Sequence, residues 1–332
     1  MKSDFQLYVV GGKQKKANNI QCGSALIALI DSASGTPKIL VEYESPPDAR
    51  PANHEASILF KAGTVEKNIL YLCTETEVMS YLLPNFEKLN YLSLPFFNDL
   101  HHVRPTSTGT LLVAVSGLDM VVEVSWKGKI LKEWDVLGEP LWAKFSKAID
   151  YRKITTKPHR SHPNYIFQYQ NHIWATRFYQ RDAVCLTGVG RIDLAIEGVH
   201  DGVVDSKNET ALFTTVDGHI IQVDLRRAKV NRVIDLNEIH RSEEALGWCR
   251  SILAIDQNHV LVGFSRIRHT KFVENIRWVA HRFGAIETPE SLPTRIALYD
   301  IDTLKLCWEQ DLEGIGMNAV FSIHFATNSA EE

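Results

Sequence analysis

Histidine is the residue type whose placement in this sequence points most directly to chemistry. His54, His102, His162 and His200 each stand at the start of a segment that the apolar pattern predicts as a strand. Neutral imidazole is the commonest metal ligand in proteins, and several imidazoles that converge on one point hold iron, zinc, copper or manganese. The spacing therefore predicts a metal site made of these four histidines. We expect iron first, with zinc, copper or manganese as alternatives.

Two histidines are adjacent, and only one of them can face such a site. Successive side chains of a strand point to opposite faces, so His101 and His102 cannot both be ligands. His102 is favoured because it precedes Val103 in the way that His200 precedes an Asp-Gly-Val segment. The other eight histidines fall elsewhere in the pattern, and most of them are predicted to be surface or turn residues: His159, His172, His219, His240, His259, His269, His281 and His324.

Three carboxylates accompany the predicted ligands. Glu55, Asp99 and Asp201 lie next to, or within three residues of, a histidine of the set. A carboxylate beside a metal-bound imidazole fixes its tautomer and orientation. These three residues are therefore the predicted catalytic carboxylates of the site.

Arginines stand at places that the same pattern puts on one face with the histidines. Arg177, Arg181 and Arg266 fall in predicted turns between second and third strands, and Arg250 lies at a predicted strand start. Guanidinium groups bind carboxylates and phosphates through two parallel hydrogen bonds. The arginines therefore predict an anionic substrate. For Arg266 a solvated basic loop is an equally good interpretation.

Residues 97–135 show the element that must position these side chains. Their apolar segments predict four short antiparallel strands, separated by Thr-Gly, Gly-Leu-Asp and Lys-Gly turns, at residues 102–105, 110–116, 120–126 and 130–135. Turns that recur about every 8–12 residues are typical of an all-β chain. Four such strands make one blade of a β-propeller.

Copies of this unit follow one another along the chain. Units begin near residues 54, 102, 162, 200 and 247, and a period of about 40–50 residues is typical of propellers. A lone strand at residues 318–326 is predicted to join residues 20–44 and make a sixth blade, so that both ends of the chain close the ring. We therefore expect one all-β domain over residues 1–332, a six-bladed propeller with insertions at residues 138–160 and 266–292.

Composition limits the class of protein and its partners. The chain has 332 residues, 45% of them apolar and 23% charged, with a net charge of −4. This balance gives no reason to expect nucleic acid or a membrane surface as a partner. The five cysteines are scattered without a Cys-x-x-Cys pair, which is typical of reduced thiols. With no apolar segment long enough for a signal peptide or a bilayer span, a cytoplasmic protein is expected.

The blade rhythm and the Gly-Leu-Asp, Asp-Gly and Lys-Gly turns resemble the six-bladed propellers that include NHL-repeat, gluconolactonase-like and streptogramin-lyase-like proteins. The resemblance is one of fold and covers most of the chain. The four-histidine set is similar to the iron site of carotenoid-cleavage-type oxygenases, which are larger and seven-bladed. Three histidines around zinc resemble the peptide-amidating lyases, which are secreted and disulfide-bonded, unlike this chain.

Two functions, and one purely structural interpretation of the histidines, remain open at this point. The favoured one is a metal-dependent enzyme, an oxygenase or a lyase, that acts on a small anionic organic molecule in the central channel. The alternative is a non-catalytic propeller that binds a protein or glycan partner on one face. In a third interpretation the histidines only satisfy loop amides. The oligomeric state stays open.

Overall fold

The computed structural model describes residues 5–15, 21–51, 57–240, 244–267 and 291–326. Its strands form six antiparallel sheets of four strands each, the blades of a six-bladed propeller, as the sequence predicts. Within the described residues there is one short α-helix, α1 (Leu236–His240), and three single turns of 3₁₀ helix, Ser116–Leu118, Tyr151–Lys153 and Glu313–Ile315.

The blades are numbered from the N-terminus. Blade 1 contains β1 (Gln6–Gln14), β2 (Cys22–Asp31), β3 (Lys38–Tyr43) and the last strand of the chain, β24 (Ala319–Phe325). Blade 2 contains β4 (Thr64–Glu66), β5 (Ile69–Cys73), β6 (Val78–Leu82) and β7 (Glu87–Leu92). Blade 3 contains β8 (Leu100–Pro105), β9 (Leu111–Val115), β10 (Met120–Val124) and β11 (Ile130–Asp135).

The second half of the chain repeats this arrangement. Blade 4 contains β12 (Pro163–Tyr169), β13 (His172–Arg177), β14 (Asp182–Cys185) and β15 (Arg191–Asp193). Blade 5 contains β16 (Val199–Asp205), β17 (Thr210–Thr215), β18 (His219–Asp224) and β19 (Lys229–Asp235). Blade 6 contains β20 (Trp248–Ala254), β21 (His259–Ser265), β22 (Arg295–Asp300) and β23 (Lys305–Asp311).

Burial along the strands explains their order within a blade. β9 is buried at all of its positions, whereas β23 alternates between exposed and partly exposed residues. A strand inside a blade lies between the two neighbouring blades and needs apolar residues on both of its faces. The outermost strand of a blade needs apolar residues on one face only. The turns between strands carry the residues that their backbone requires, with Gly109 and Gly128 at positive φ.

The N- and C-terminal strands close the ring in blade 1. β24 pairs with β1 over six residue pairs, from Leu7 with Phe325 to Gly12 with Ala319. This confirms the predicted closure, with one correction: β24 pairs with β1, whereas the sequence interpretation joined it to residues 20–44. Residues 6–14 were not recognised as a strand, because two glycines end their apolar segment.

The first strand of blade 2 also differs from the prediction. Residues 55–60 were expected to be this strand, but the structure has β4 at Thr64–Glu66. Residues 57–60 are instead held in the seam between blades 1 and 2, where the Ile58 N–H donates to the Cys22 carbonyl and the Phe60 N–H to the Gly11 carbonyl. The apolar side chains in this segment fill the seam and therefore resemble a strand in the sequence.

Hydrophobic contact between neighbouring blades makes the core. Each pair of neighbouring sheets encloses its own cluster of buried side chains, one between blades 3 and 4 and one between blades 6 and 1, for example. Inside this ring the first strands β8, β12, β16, β20 and β24 contact one another in sequence. Residues at the starts of these strands are thereby brought to the central axis, which is the condition the predicted site needs.

In the described part of the chain, no helix has the length and apolar composition needed to cross a membrane.

Candidate metal centre

Three potential metal ligands from two segments converge in the channel. The Nδ1 atoms of His159 and His162 are 2.6 Å apart, and His159 Nδ1 lies 3.8 Å from Oδ2 of Asp99. One donor atom from each of the three residues lies within 4.8 Å of the other two. The shorter of these distances is a hydrogen bond between the two rings. Two imidazoles and one carboxylate are the donor types of catalytic zinc and of non-haem iron(II) sites.

Asp119 holds the backbone that carries His162. Its carboxylate accepts three successive N–H groups: Oδ2 from Arg160 at 3.0 Å, and Oδ1 from Ser161 at 2.9 Å and His162 at 2.8 Å. His162 itself has a φ of 60°, a left-handed conformation that costs a non-glycine residue free energy. The Asp119 carboxylate, at the Gly-Leu-Asp turn of blade 3, supplies the contacts that fix this conformation and aim the imidazole.

The insertion of residues 138–160 carries His159 into the channel. The Asn98 amide donates to the carbonyls of Tyr151 at 2.6 Å and Ile154 at 2.9 Å. Asn98 Oδ1 accepts the Thr156 hydroxyl at 2.8 Å, and the Thr156 Oγ1 atom lies 3.3 Å from Nε2 of His159. In the structure the last residues of the insertion pack down on blade 3 and contribute to the cluster.

Two further imidazoles stand beside the cluster with a defined tautomer. The His101 ring centroid is 4.3 Å from that of His162 and 5.7 Å from that of His200. His101 Nδ1 donates to the Asp99 carbonyl at 2.8 Å, and His200 Nδ1 to the Arg250 carbonyl at 3.2 Å. A carbonyl oxygen only accepts, so each Nδ1 carries the proton. Nε2 of both rings therefore keeps its lone pair, the form in which imidazole binds metals.

Lys61 supplies the counter-charge of Asp99. Its ammonium lies 3.2 Å from Asp99 Oδ1, and both side chains are almost fully buried. Burial alone would raise the pKa of Asp99, but Lys61, His101 and Lys157 together hold it well below its ordinary value. Asp99 is therefore a carboxylate at neutral pH and available as an anionic ligand.

The imidazoles around Asp99 are neutral for the opposite reason. Burial lowers the pKa of His162 to about 3, against the raising effect of Asp99. Burial also lowers the pKa of His159, and burial together with Lys61 holds that of His101 well below its usual range. For His200, burial and the Arg250 guanidinium do the same. Metal ligands must be deprotonated, so this is the protonation state that an ion requires.

His102 lies outside this group, against the preference for it over His101. Its Nδ1 accepts the Ile166 N–H of blade 4 at 3.2 Å, and its Nε2 lies 3.4 Å from the hydroxyl oxygen of Thr64 in blade 2. The lone pair of the ring is thus used in a hydrogen bond between blades. The sequence interpretation compared His102 with His200, but β8 has a register shift between Leu100 and His102, which changes the face that each residue presents.

The predicted carboxylates have different surroundings. Asp99 lies in the cluster, whereas Glu55 and the predicted ligand His54 lie outside the described residues. Asp201 is buried with its Oδ2 accepting the Ile252 N–H at 3.2 Å. Burial raises the pKa of Asp201 to about 8, although the N–H groups of Gly202 and Ile252 lower it. Asp201 is therefore mainly a neutral carboxylic acid at pH 7.

Of the four predicted substrate-binding arginines, one lies beside the histidines. Arg177 forms two hydrogen bonds with buried Asp182, at 2.7 and 2.6 Å, and Arg266 pairs in the same way with Glu313 at 2.7 and 2.9 Å. Arg181 has an exposed position with a φ of 59°. Arg250 alone approaches the channel, with its guanidinium carbon 4.8 Å from the centre of the Phe321 ring.

A small cavity adjoins the cluster. Its volume is about 30 Å³, and its walls include Asp99, His159 and Lys157 together with Thr76 and Asn98. A water molecule needs about 10–15 Å³ on this measure. The cavity therefore has room for an ion and its water, and polar atoms to bind them.

Two solved structures are similar to the chain over almost its whole length. One is a protein of unknown function from Bacteroides caccae, with a TM-score of 0.59 and 14% identity over 98% of this chain and 100% of that one. The other is from a nidogen/laminin complex, with a TM-score of 0.56 and 10% identity over 98% of this chain and 99% of that one. No protein-family model and no curated protein matches the chain. At these identities the likeness confirms the propeller fold and leaves the chemistry to the site itself.

Sequence reasoning missed His159 as a member of the cluster. It was placed among surface and turn residues because it lies outside the predicted strand starts. A His-x-x-His spacing within Lys-Pro-His-Arg-Ser-His-Pro was the available signal. This signal was weak, because only contacts with other blades bring such a connecting segment into the channel.

Proposed function

We propose that the protein is a metal-dependent enzyme whose ion is bound by Asp99, His159 and His162 at the central channel of the propeller. The observation that supports this most is the convergence of three donor atoms of partly buried residues within 4.8 Å, one from a carboxylate and two from imidazoles. His101 and His200 stand beside them with Nε2 lone pairs as additional ligands. Iron(II) is the first expectation for this donor set and zinc the second.

A site of this composition suits chemistry at an open metal position. Three protein ligands leave a transition metal with positions for water, oxygen or substrate. An ion held by one carboxylate keeps a net positive charge, which polarises a carbonyl or phosphoryl oxygen or lowers the pKa of bound water. Oxygenase and lyase activities on a small organic molecule both lie within this chemistry, and the identity of the metal would separate them.

The test is the metal content of the purified protein and of three variants. Wild type is expected to contain, or to take up after chelation, about one iron or zinc ion per chain. Asp99→Ala, His159→Ala and His162→Ala should each weaken metal binding by about tenfold or more, while a folded protein remains. His172→Ala is the matched control, because this histidine is exposed on blade 4 and its ring bonds to the Thr187 hydroxyl. Wild type without metal and without uptake would refute the proposal.

A non-catalytic propeller that binds a partner on one face is the second candidate. The observation that favours it is the size of the cavity at Asp99 and His159, whose volume of about 30 Å³ takes an ion but no organic molecule. In this case the metal would be structural. Titration of small organic acids into the metal-loaded and the chelator-treated protein separates the candidates, since only an open metal position should make the binding of these acids tighter when the metal is present.

A further inference from the structure

Lys61 has more hydrogen-bonding capacity than the cluster uses. Its ammonium carries three N–H donors, and the described residues provide one side-chain acceptor, Asp99, at 3.2 Å. The side chain is 7% exposed and its Nζ lies 5.2 Å from the centre of the Phe321 ring. A buried ammonium is stabilised when all of its donors are satisfied. The remaining donors of Lys61 are therefore suited to an acceptor that enters the channel.

Arg250 approaches the same ring from blade 6. Its guanidinium lies 4.8 Å from the Phe321 ring centre and 5.3 Å from that of Trp248. The His200 ring is 5.7 Å from Phe321 and bonds to the Arg250 backbone, so this wall is continuous with the histidine group. Two cations thus lie against one aromatic ring at the channel, next to the proposed ion.

Charge balance shows what kind of molecule this wall suits. A divalent ion, the Asp99 carboxylate and the Lys61 ammonium together carry two net positive charges. The imidazoles are neutral and do not compensate these charges. Uncompensated charge in a buried site is costly, and an anion that contacts both the metal and Lys61 removes that cost. Ammonium and guanidinium groups bind carboxylate and phosphate oxygens through charge-assisted hydrogen bonds.

We propose that the channel binds the oxyanion group of a small organic molecule, a carboxylate or a phosphate, through Lys61 and Arg250, which both lie against the Phe321 ring. This inference rests on the proposed metal centre for its catalytic meaning. The anion-binding position itself is formed by protein groups and exists with or without the ion. Binding at this position would place the charged end of the substrate next to the metal ligands and the rest of the molecule toward the channel opening.

Calorimetric titrations of acetate and of inorganic phosphate, at constant ionic strength, test the position. Chelator-treated and metal-loaded wild type should both bind at least one of the two anions, and the one that binds identifies a carboxylate or a phosphate group. Lys61→Met should weaken this binding by about tenfold or more, and Lys61→Arg should restore part of it. Arg250→Gln should also weaken it and leaves the Lys61–Asp99 ion pair intact, so it serves if Lys61→Met does not fold. Exposed Arg181 gives the control variant Arg181→Gln, which should bind as wild type does.

The outcomes separate this proposal from the metal centre. If neither anion binds either form, or if Arg250→Gln and folded Lys61→Met bind as tightly as wild type, the oxyanion position is wrong and the metal centre is unaffected. If the anion binds as expected but the protein takes up no metal, the oxyanion position is correct and the metal-dependent function is wrong. A loss of anion binding in Arg181→Gln equal to that in Lys61→Met would indicate binding at a surface cation and would overturn the proposal.

Discussion

Deletion of residues 317–332 removes β24 and should unfold the protein. Val320, Phe321 and Ile323 are 0–3% exposed, and each contributes about 1.5–3 kcal/mol by burial, or about 5–9 kcal/mol together. Folded proteins have a free energy of unfolding of about 5–15 kcal/mol, so this loss removes most of it. The deletion also leaves one edge of β1 without a partner, which favours aggregation. Thermal unfolding followed by circular dichroism, with light scattering, should show no cooperative transition and a rise in aggregated material.

A single substitution tests the same closure without shortening the chain. A Cβ atom at Gly11 would lie 1.7 Å from the Ala319 carbonyl oxygen, so Gly11→Ala must separate β1 from β24. Gly314→Ala is the matched control, since a Cβ there meets no atom within 4 Å. Gly11→Ala should lower the unfolding temperature clearly and Gly314→Ala should not. A truncated protein as stable as wild type, or equal stability of the two glycine variants, would refute the argument that the terminal strands hold the ring.

Three further changes test the assignment of buried polar residues. His102→Ala should destabilise the protein, because the ring links blades 2 and 4, yet leave the metal content unchanged, unlike His162→Ala. Asp201 has a folded pKa of about 8 against about 3.9 when unfolded, so stability should fall as pH rises from about 4 to 8, and Asp201→Asn should remove this decline in urea unfolding midpoints. Glu77→Ala should cost about 3 kcal/mol in the same assay, because the buried carboxylate accepts hydroxyls of Tyr43, Thr74 and Tyr91.

The blades were predictable because each is a local unit with its own turns. Residues 97–135 contain every signal that blade 3 needs: apolar strands, a Thr-Gly turn, a Gly-Leu-Asp turn and a Lys-Gly turn. Blade 2 shows the limit of such signals. Ile58, Leu59 and Phe60 are apolar because they fill the seam beside β1, and nothing in their own sequence distinguishes a seam from a strand. The error at the start of blade 2 thus came from contacts with a distant part of the chain.

The candidate site was predictable in its location and less so in its members. Histidines at strand starts indicated the axis, and His162, His200 and Asp99 do lie there together. The choice between His101 and His102 depended on a register shift of one residue, which the sequence does not show. His159 depended on Asn98 holding the end of the insertion in place, a contact made across more than fifty residues.

The cluster draws its geometry from the docking of blades 3 and 4. Asp99 precedes β8 of blade 3, whereas His162 precedes β12 of blade 4, and Asp119 of blade 3 fixes the backbone of residues 160–162. An ion bound to Asp99 and His162 would therefore join two blades that already meet through apolar contacts and through hydrogen bonds such as that between His102 and Ile166. A ligand that binds only the folded state stabilises that state. A change that weakens the docking of blades 3 and 4 should therefore lower both the metal affinity and the free energy of unfolding. In the proposed centre, Asp119 would act on both without contacting the ion, because it holds the backbone of His162 beside Asp99 and His159.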